Sequence, residues 1–269
     1  MRYDGPMLNR DRLIVALDVP TASKARQVVQ SIGDAATTYK VGKQLFTAEG
    51  PQIVSDLVSS GRKVFLDLKF HDIPNTVAGA VRAAAELGVS MLTVHASGGG
   101  AMLKAAAQTA AESPAKPMIL AVTVLTSLSD DDLIHLGIAG RVIDHVVRLA
   151  ALARDAGCRG VVASALEAHE LRRELGSDFT IVTPGIRPSG PTSPMGGPHL
   201  PSVGKFGETG NTRRDDQARI LTPKEAIAAG ASYLVVGRPI LDAADPSRAA
   251  NEIVREIEEA ELAAATVRP

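Results

Sequence analysis

Val64-Phe65-Leu66-Asp67-Leu68-Lys69-Phe70-His71-Asp72-Ile73-Pro74-Asn75-Thr76 is the stretch on which the reading of this chain turns. Val64 to Leu68 is a short apolar run suited to a buried strand. Asp67 and Lys69 stand two residues apart, and in a strand that spacing puts both side chains on one side. Asp72 follows where the strand must end, because Pro74 blocks further pairing and begins a turn. A hydrophobic strand therefore delivers a carboxylate, an ammonium and a second carboxylate to its end. An isolated Asp-x-Lys pair is most often a solvated ion pair worth little. Two anions gathered near one cation are costly to desolvate unless each charge has a partner, so a cluster in this place points to use.

Outward from this stretch, short apolar runs alternate with helical patterns. Strands are expected at 13–17, 38–41, 63–68, 91–94, 117–124, 160–163, 179–182 and 231–236. Helices are expected at 21–32, 47–60, 76–86, 101–111, 140–156, 167–175 and 247–264, several of them ended by glycine. Eight such strands with intervening helices in a chain of 269 residues predict a (β/α)8 TIM barrel, a single domain over 1–269. A doubly wound open sheet is the alternative. In a barrel, reactive residues sit at the C-terminal ends of strands. Polar residues do fall there: Asp18, Lys40, Asp67 with Lys69, His95, Thr123 to Ser127, Arg187, and Gly237 with Arg238. Residues 188–216 break the alternation. They are rich in Pro, Gly, Ser and Thr without apolar period and read as a long loop insertion, a lid with a poorly ordered middle, with a rigid loop as the alternative.

Composition narrows the class. A net charge of −1 gives no field to draw nucleic acid or acidic membranes, and basic residues are scattered. Aromatic residues make up 3% and Trp is absent, which argues against base stacking. One cysteine, Cys158, excludes an intrachain disulfide and reads as core filler. The first twelve residues lack the apolar centre of a signal peptide, and no run is long enough to span a bilayer. A cytoplasmic protein is expected.

Val235-Val236-Gly237-Arg238-Pro239 carries a phosphate signal. Glycine at a strand end lets backbone amides approach an anion, and Arg238 adds a planar, permanently charged fork. A tight turn with a surface arginine is the bland alternative.

Taken together, the motifs resemble the orotidine 5'-phosphate decarboxylase family in its bacterial form, over about residues 12–250. The pieces are Leu-Ile-Val-Ala-Leu-Asp18, Tyr-Lys40-Val-Gly, Asp67-Leu-Lys69-Phe-His-Asp72-Ile-Pro-Asn-Thr76, Val-Thr-Val-Leu-Thr126-Ser127, Thr-Pro-Gly-Ile-Arg187-Pro, Asp216-Gln217, and Gly237-Arg238-Pro-Ile. The third is highly specific; the first and fourth alone are weak. The resemblance implies loss of CO2 from C6 of orotidine 5'-phosphate to give uridine 5'-phosphate, with no cofactor and no metal. It implies that Lys69 stabilises the C6 carbanion and delivers its proton, within a network of Lys40, Asp67, Lys69 and Asp72. Asp67 would lie beside the substrate carboxylate. Asp18 and Lys40 resemble ribose contacts, with Thr76 assisting. Ser127 and Gln217 resemble pyrimidine and phosphate-side contacts, with Thr126 adjacent. Arg187, Gly237 and Arg238 resemble the phosphate grip. The family's equivalents of Asp72 and Thr76 come from a second subunit, which implies a homodimer.

His71 and His95 read as structural, since Lys69 fills the donor role. Two departures stand out. The chain carries roughly twenty residues more than the family loop between Arg187 and Gln217, a length beyond ordinary loop priors, and Leu241 stands where the family often has Thr. Three alternatives remain: a metal-dependent lyase of the hexulose-phosphate synthase type, a Schiff-base aldolase using Lys69, and a non-catalytic phosphate-binding barrel.

Overall fold

The first and last strands pair with each other, which closes the sheet and rules out the open alternative. Leu13, Ile14 and Val15 of β1 stand in parallel register with Leu234, Val235 and Val236 of β8. The computed structural model describes residues 8–189 and 220–266. Its strands are β1 Leu13–Ala16, β2 Thr38–Gly42, β3 Lys63–Phe70, β4 Met91–His95, β5 Met118–Val122, β6 Gly160–Val162, β7 Thr180–Thr183 and β8 Tyr233–Val236. Each pairs in parallel with the next, giving a closed barrel in sequence order. Around it lie α1 Ala22–Ile32, α2 Lys43–Glu49, α3 Gln52–Ser59, α4 Pro74–Glu86, α5 Gly99–Glu112 and α6 Asp130–His135. The ring continues with α7 Val142–Asp155, α8 Ala165–Leu175, α9 Pro223–Ala228, α10 Arg238–Leu241 and α11 Pro246–Thr266.

Strand alternation splits the core in two. Leu13, Val15, Val64, Leu66, Leu92, Val94, Leu234 and Val236 pack outward against the helices. Ile14, Ala16, Phe65, Met91, Leu120, Val182 and Val235 form a separate inner cluster. The inside of β2 is polar. Thr38 and Lys40 stand in register with Ile14, Ala16 and Phe65, so they face the same interior, and both are buried. Two residues further along β3 and β4, the interior positions are Asp67 and Thr93. Apolar filling thus gives way to polar residues towards the C-terminal ends of the strands. Where β6 meets β5 and β7 the wall is tight. A Cβ on Gly160 would lie 2.5 Å from the Thr180 carbonyl oxygen and 2.9 Å from Leu120.

Several boundaries differ from expectation. The helix expected at 47–60 is two, α2 and α3, because Gly50 takes a φ of 67° and Pro51 follows. α4 starts at Pro74 rather than Thr76, proline being well suited to a first helical position. β3 runs on to Phe70. The short helices α6 and α9 were not expected, and each opens with a reciprocal capping box, Ser129 with Asp132 and Thr222 with Glu225.

The expected insertion at 188–216 falls mostly outside the described residues, as does Gln217. Its base is described. Ile186 and Leu221 form a parallel bridge, and the Arg187 amide donates to the Leu221 carbonyl at 3.0 Å. The Ser189 amide and hydroxyl donate to the Glu256 carboxylate on α11 at 3.0 and 3.1 Å. No helix among the described residues is long and apolar enough to cross a membrane.

Candidate active site

β3 does not stay regular to its end. Leu66 pairs with Leu92 and Phe70 with Val94, so the register slips between them, and Lys69 takes a φ of 55°. Left-handed backbone at a lysine is uncommon and marks a bulge. Asp67 and Lys69 do meet, as the spacing suggested, but across this bulge rather than along an even strand. The Lys69 ammonium donates to both Asp67 oxygens, at 2.7 and 2.8 Å. Lys40 Nζ lies 3.9 Å from Asp67 Oδ2 and donates to Asp18 at 2.9 Å. One chain therefore carries an alternating line, Asp18, Lys40, Asp67, Lys69, drawn from just after β1, from the middle of β2 and from the second half of β3.

The electrostatics follow from that order. Burial opposes charge on Asp67, yet Lys69, Lys40 and the hydrogen bonds from Lys69 and Thr93 outweigh it and hold its carboxyl below the usual range. His95 ends β4 with its ring 5.5 Å from that of His71. Burial first, then the nearby His71, Lys69 and Lys43, push the imidazole of His95 below its ordinary value, so it is neutral at pH 7. Cys158 is buried, and burial raises its thiol to about 12, in keeping with core filler. Among the described residues no three His, Cys, Asp or Glu side chains converge as a metal site requires.

Above the inner cluster opens a cavity of about 870 Å³, a volume within the range of small-ligand sites. Asp18, Lys40, Asp67, Lys69, Thr126, Ser127, Arg187, Gly237 and Arg238 all line it, and Phe65, Val122, Val162 and Val235 form its apolar part. Asp72 and Thr76 do not line it. Both are exposed at the start of α4, and Asp72 accepts a hydrogen bond from the next amide, Ile73, at 2.6 Å. The single chain thus brings together the acid and lysine line and the two arginines, but leaves Asp72 outside.

Four further residues belong to this region. Thr93 donates to Asp67 at 3.0 Å and accepts the Lys69 amide at 2.8 Å. A polar residue two positions before His95, on the inward face of an apolar strand, was the available signal. Gly42 is the second: a Cβ there would lie 2.9 Å from the Lys40 ammonium and 3.3 Å from Asp18. Lys24 on α1 and Asp242 after α10 also line the cavity, and neither carries a motif.

Residues 11–253 match the model of a family described as orotidine 5'-phosphate decarboxylase / HUMPS. The chain belongs to this family. An orotidine 5'-phosphate decarboxylase of Nitrosococcus oceani is 46% identical over 250 residues, covering 93% of this chain and 99% of the relative. One from Saccharophagus degradans is 48% identical over 251 residues, covering 93% and 97%. The crystal structure of the Lactobacillus acidophilus orotidine 5'-phosphate decarboxylase superposes with a TM-score of 0.76 at 38% identity, over 92% of this chain and 99% of that one. Family membership therefore extends over the barrel and the cavity at its mouth.

Proposed function

We propose that this chain converts orotidine 5'-phosphate to uridine 5'-phosphate and CO2, the last step in forming uridine 5'-phosphate. The observation that carries the reading is the Lys69 ammonium held between both Asp67 oxygens beside the cavity. Breaking the bond from C6 to the carboxylate leaves an electron pair on C6. A fixed ammonium lowers the energy of that charge as it develops, then transfers its proton to C6. The neutral amine regains a proton from water afterwards. No cofactor enters this scheme.

The remaining residues hold the substrate. Arg187, Gly237 and Arg238 grip the phosphate, Asp18 and Lys40 the ribose, and Thr126, Ser127 and Gln217 the pyrimidine and phosphate side. Phosphate binding far from the reacting carbon stabilises the closed site, which is how remote contacts serve the chemical step. Asp72 and Thr76 act across a homodimer interface, Asp72 completing the charge line beside the partner's lysine. The exposure of Asp72, Thr76 and the neighbouring apolar Ile73 in one chain supports this. The reading takes residues 1–269 as one cytoplasmic barrel domain, without nucleic-acid or membrane partners.

The test is the absorbance change of orotidine 5'-phosphate with purified protein in excess chelator. Steady conversion is expected. Failure in chelator with recovery on adding a divalent metal overturns the scheme in favour of the metal-dependent lyase chemistry.

A further inference from the structure

We propose that Thr93 is a positioning residue for this reaction, its one hydroxyl holding Asp67 and the Lys69 backbone in the arrangement that aims the ammonium into the cavity. The inference rests on the reading of Lys69 as proton donor. Thr93 has no solvent-exposed surface, so it acts only through its neighbours. Its place on β4 makes it face the barrel interior, two residues beyond Met91 of the inner cluster. A threonine hydroxyl has one proton and lone pairs to accept with. Here the proton goes to Asp67 Oδ1 at 3.0 Å, and a lone pair receives the Lys69 amide at 2.8 Å.

Both uses matter because of the bulge. Where β3 slips register between Leu66 and Phe70, Lys69 stands outside the pairing with β4. The Thr93 oxygen supplies the acceptor that the ladder does not, at a residue whose φ of 55° L side chains rarely adopt. Asp67 Oδ1 in turn receives the Lys69 ammonium at 2.7 Å. The result is a closed ring: hydroxyl, carboxylate, ammonium, and back through Lys69 to its own amide. A ring of this kind fixes both ends of one side chain, so the ammonium is placed before substrate arrives.

Thr93→Val and Thr93→Ser separate this role from simple packing. Valine keeps the shape and removes the oxygen, while serine keeps the oxygen. We expect kcat to fall about tenfold or more in Thr93→Val with KM changed much less, and serine to restore most of the loss. Carbon-13 detection of the Asp67 carboxyl gives a readout independent of turnover. Its titration midpoint should rise in Thr93→Val and stay close to wild type in Thr93→Ser. Thr93→Ala, which also lacks the oxygen, carries the same comparison where valine does not fold. Wild-type kcat and an unmoved Asp67 titration in the oxygen-free variants overturn the proposal. If the wild-type protein does not decarboxylate orotidine 5'-phosphate but the Asp67 midpoint moves as expected, the functional reading fails while the hold of Thr93 on Asp67 stands.

Discussion

Lys69 is placed by its surroundings rather than by its own freedom. With both Asp67 oxygens within 2.8 Å, its long side chain has little left to lose when substrate binds. Lys69→Ala should lower kcat by about a thousandfold or more while nucleotide still binds, since both charge stabilisation and proton donation vanish. Isothermal titration beside turnover assays checks this, and near-normal turnover would remove Lys69 from the chemistry. Gly42→Ala should cost activity without costing much stability, because the added methyl meets only the end of the Lys40 side chain and the Asp18 carboxylate. A melting temperature that collapses together with kcat would show that the methyl disturbs the strand instead. Arg238→Ala should chiefly raise KM and lower kcat/KM for the phosphorylated substrate, and unchanged values would take Arg238 out of the phosphate grip. At this scale much was legible. Charged residues at strand ends are conspicuous in an apolar sequence. Thr93 was only faintly legible: its spacing from His95 marks the same strand face, but threonine is an ordinary strand former, and its bonds to Asp67 and Lys69 become visible only once β4 has neighbours.

Among the elements, α4 carries the most consequence. Pro74 starts it, and the residues around that start, Asp72, Ile73 and Thr76, are exposed in one chain. If the turn into α4 delivers Asp72 to a partner's site, mixed Lys69→Ala and Asp72→Ala protomers should regain activity. In a heterodimer one of the two sites then has both an intact lysine and an intact aspartate. Mass spectrometry must first show subunit exchange; no recovery after proven exchange argues against shared sites. Long elements were well marked in the sequence by apolar period and by glycine stops. The short helices α6, α9 and α10 were not, because four to six residues make too few turns to show a period. Their caps were the stronger sign: Ser-x-x-Asp and Thr-x-x-Glu stand in plain view at 129–132 and 222–225.

The whole barrel depends on groups kept uncharged as well as on paired charges. Burial raises the Tyr39 phenol and the Cys158 thiol to about 12 each. In the unfolded chain they ionise near about 10 and about 8.5. The unfolded form therefore gains charge first. Their contribution to stability is complete below those lower values and is lost as pH rises through them towards 12. Urea midpoints should fall between pH 8 and pH 11, and Cys158→Ala should flatten the first part of that fall. An identical slope in the variant would deny Cys158 any share. Asp67 runs the other way: its depressed carboxyl contributes stability above about 3.9, lost as pH falls through the folded value.

The two ends of the segment after β7 are tied side by side, Ile186 to Leu221, with Ser189 moored to Glu256. The bridge sets the separation of the two chain segments by its own backbone pairing, next to β7 on one side and ahead of α9 on the other. A chain with a shorter connection between Ser189 and Ile220 should therefore keep the β7–β8 pairing, and an unchanged urea midpoint would check it.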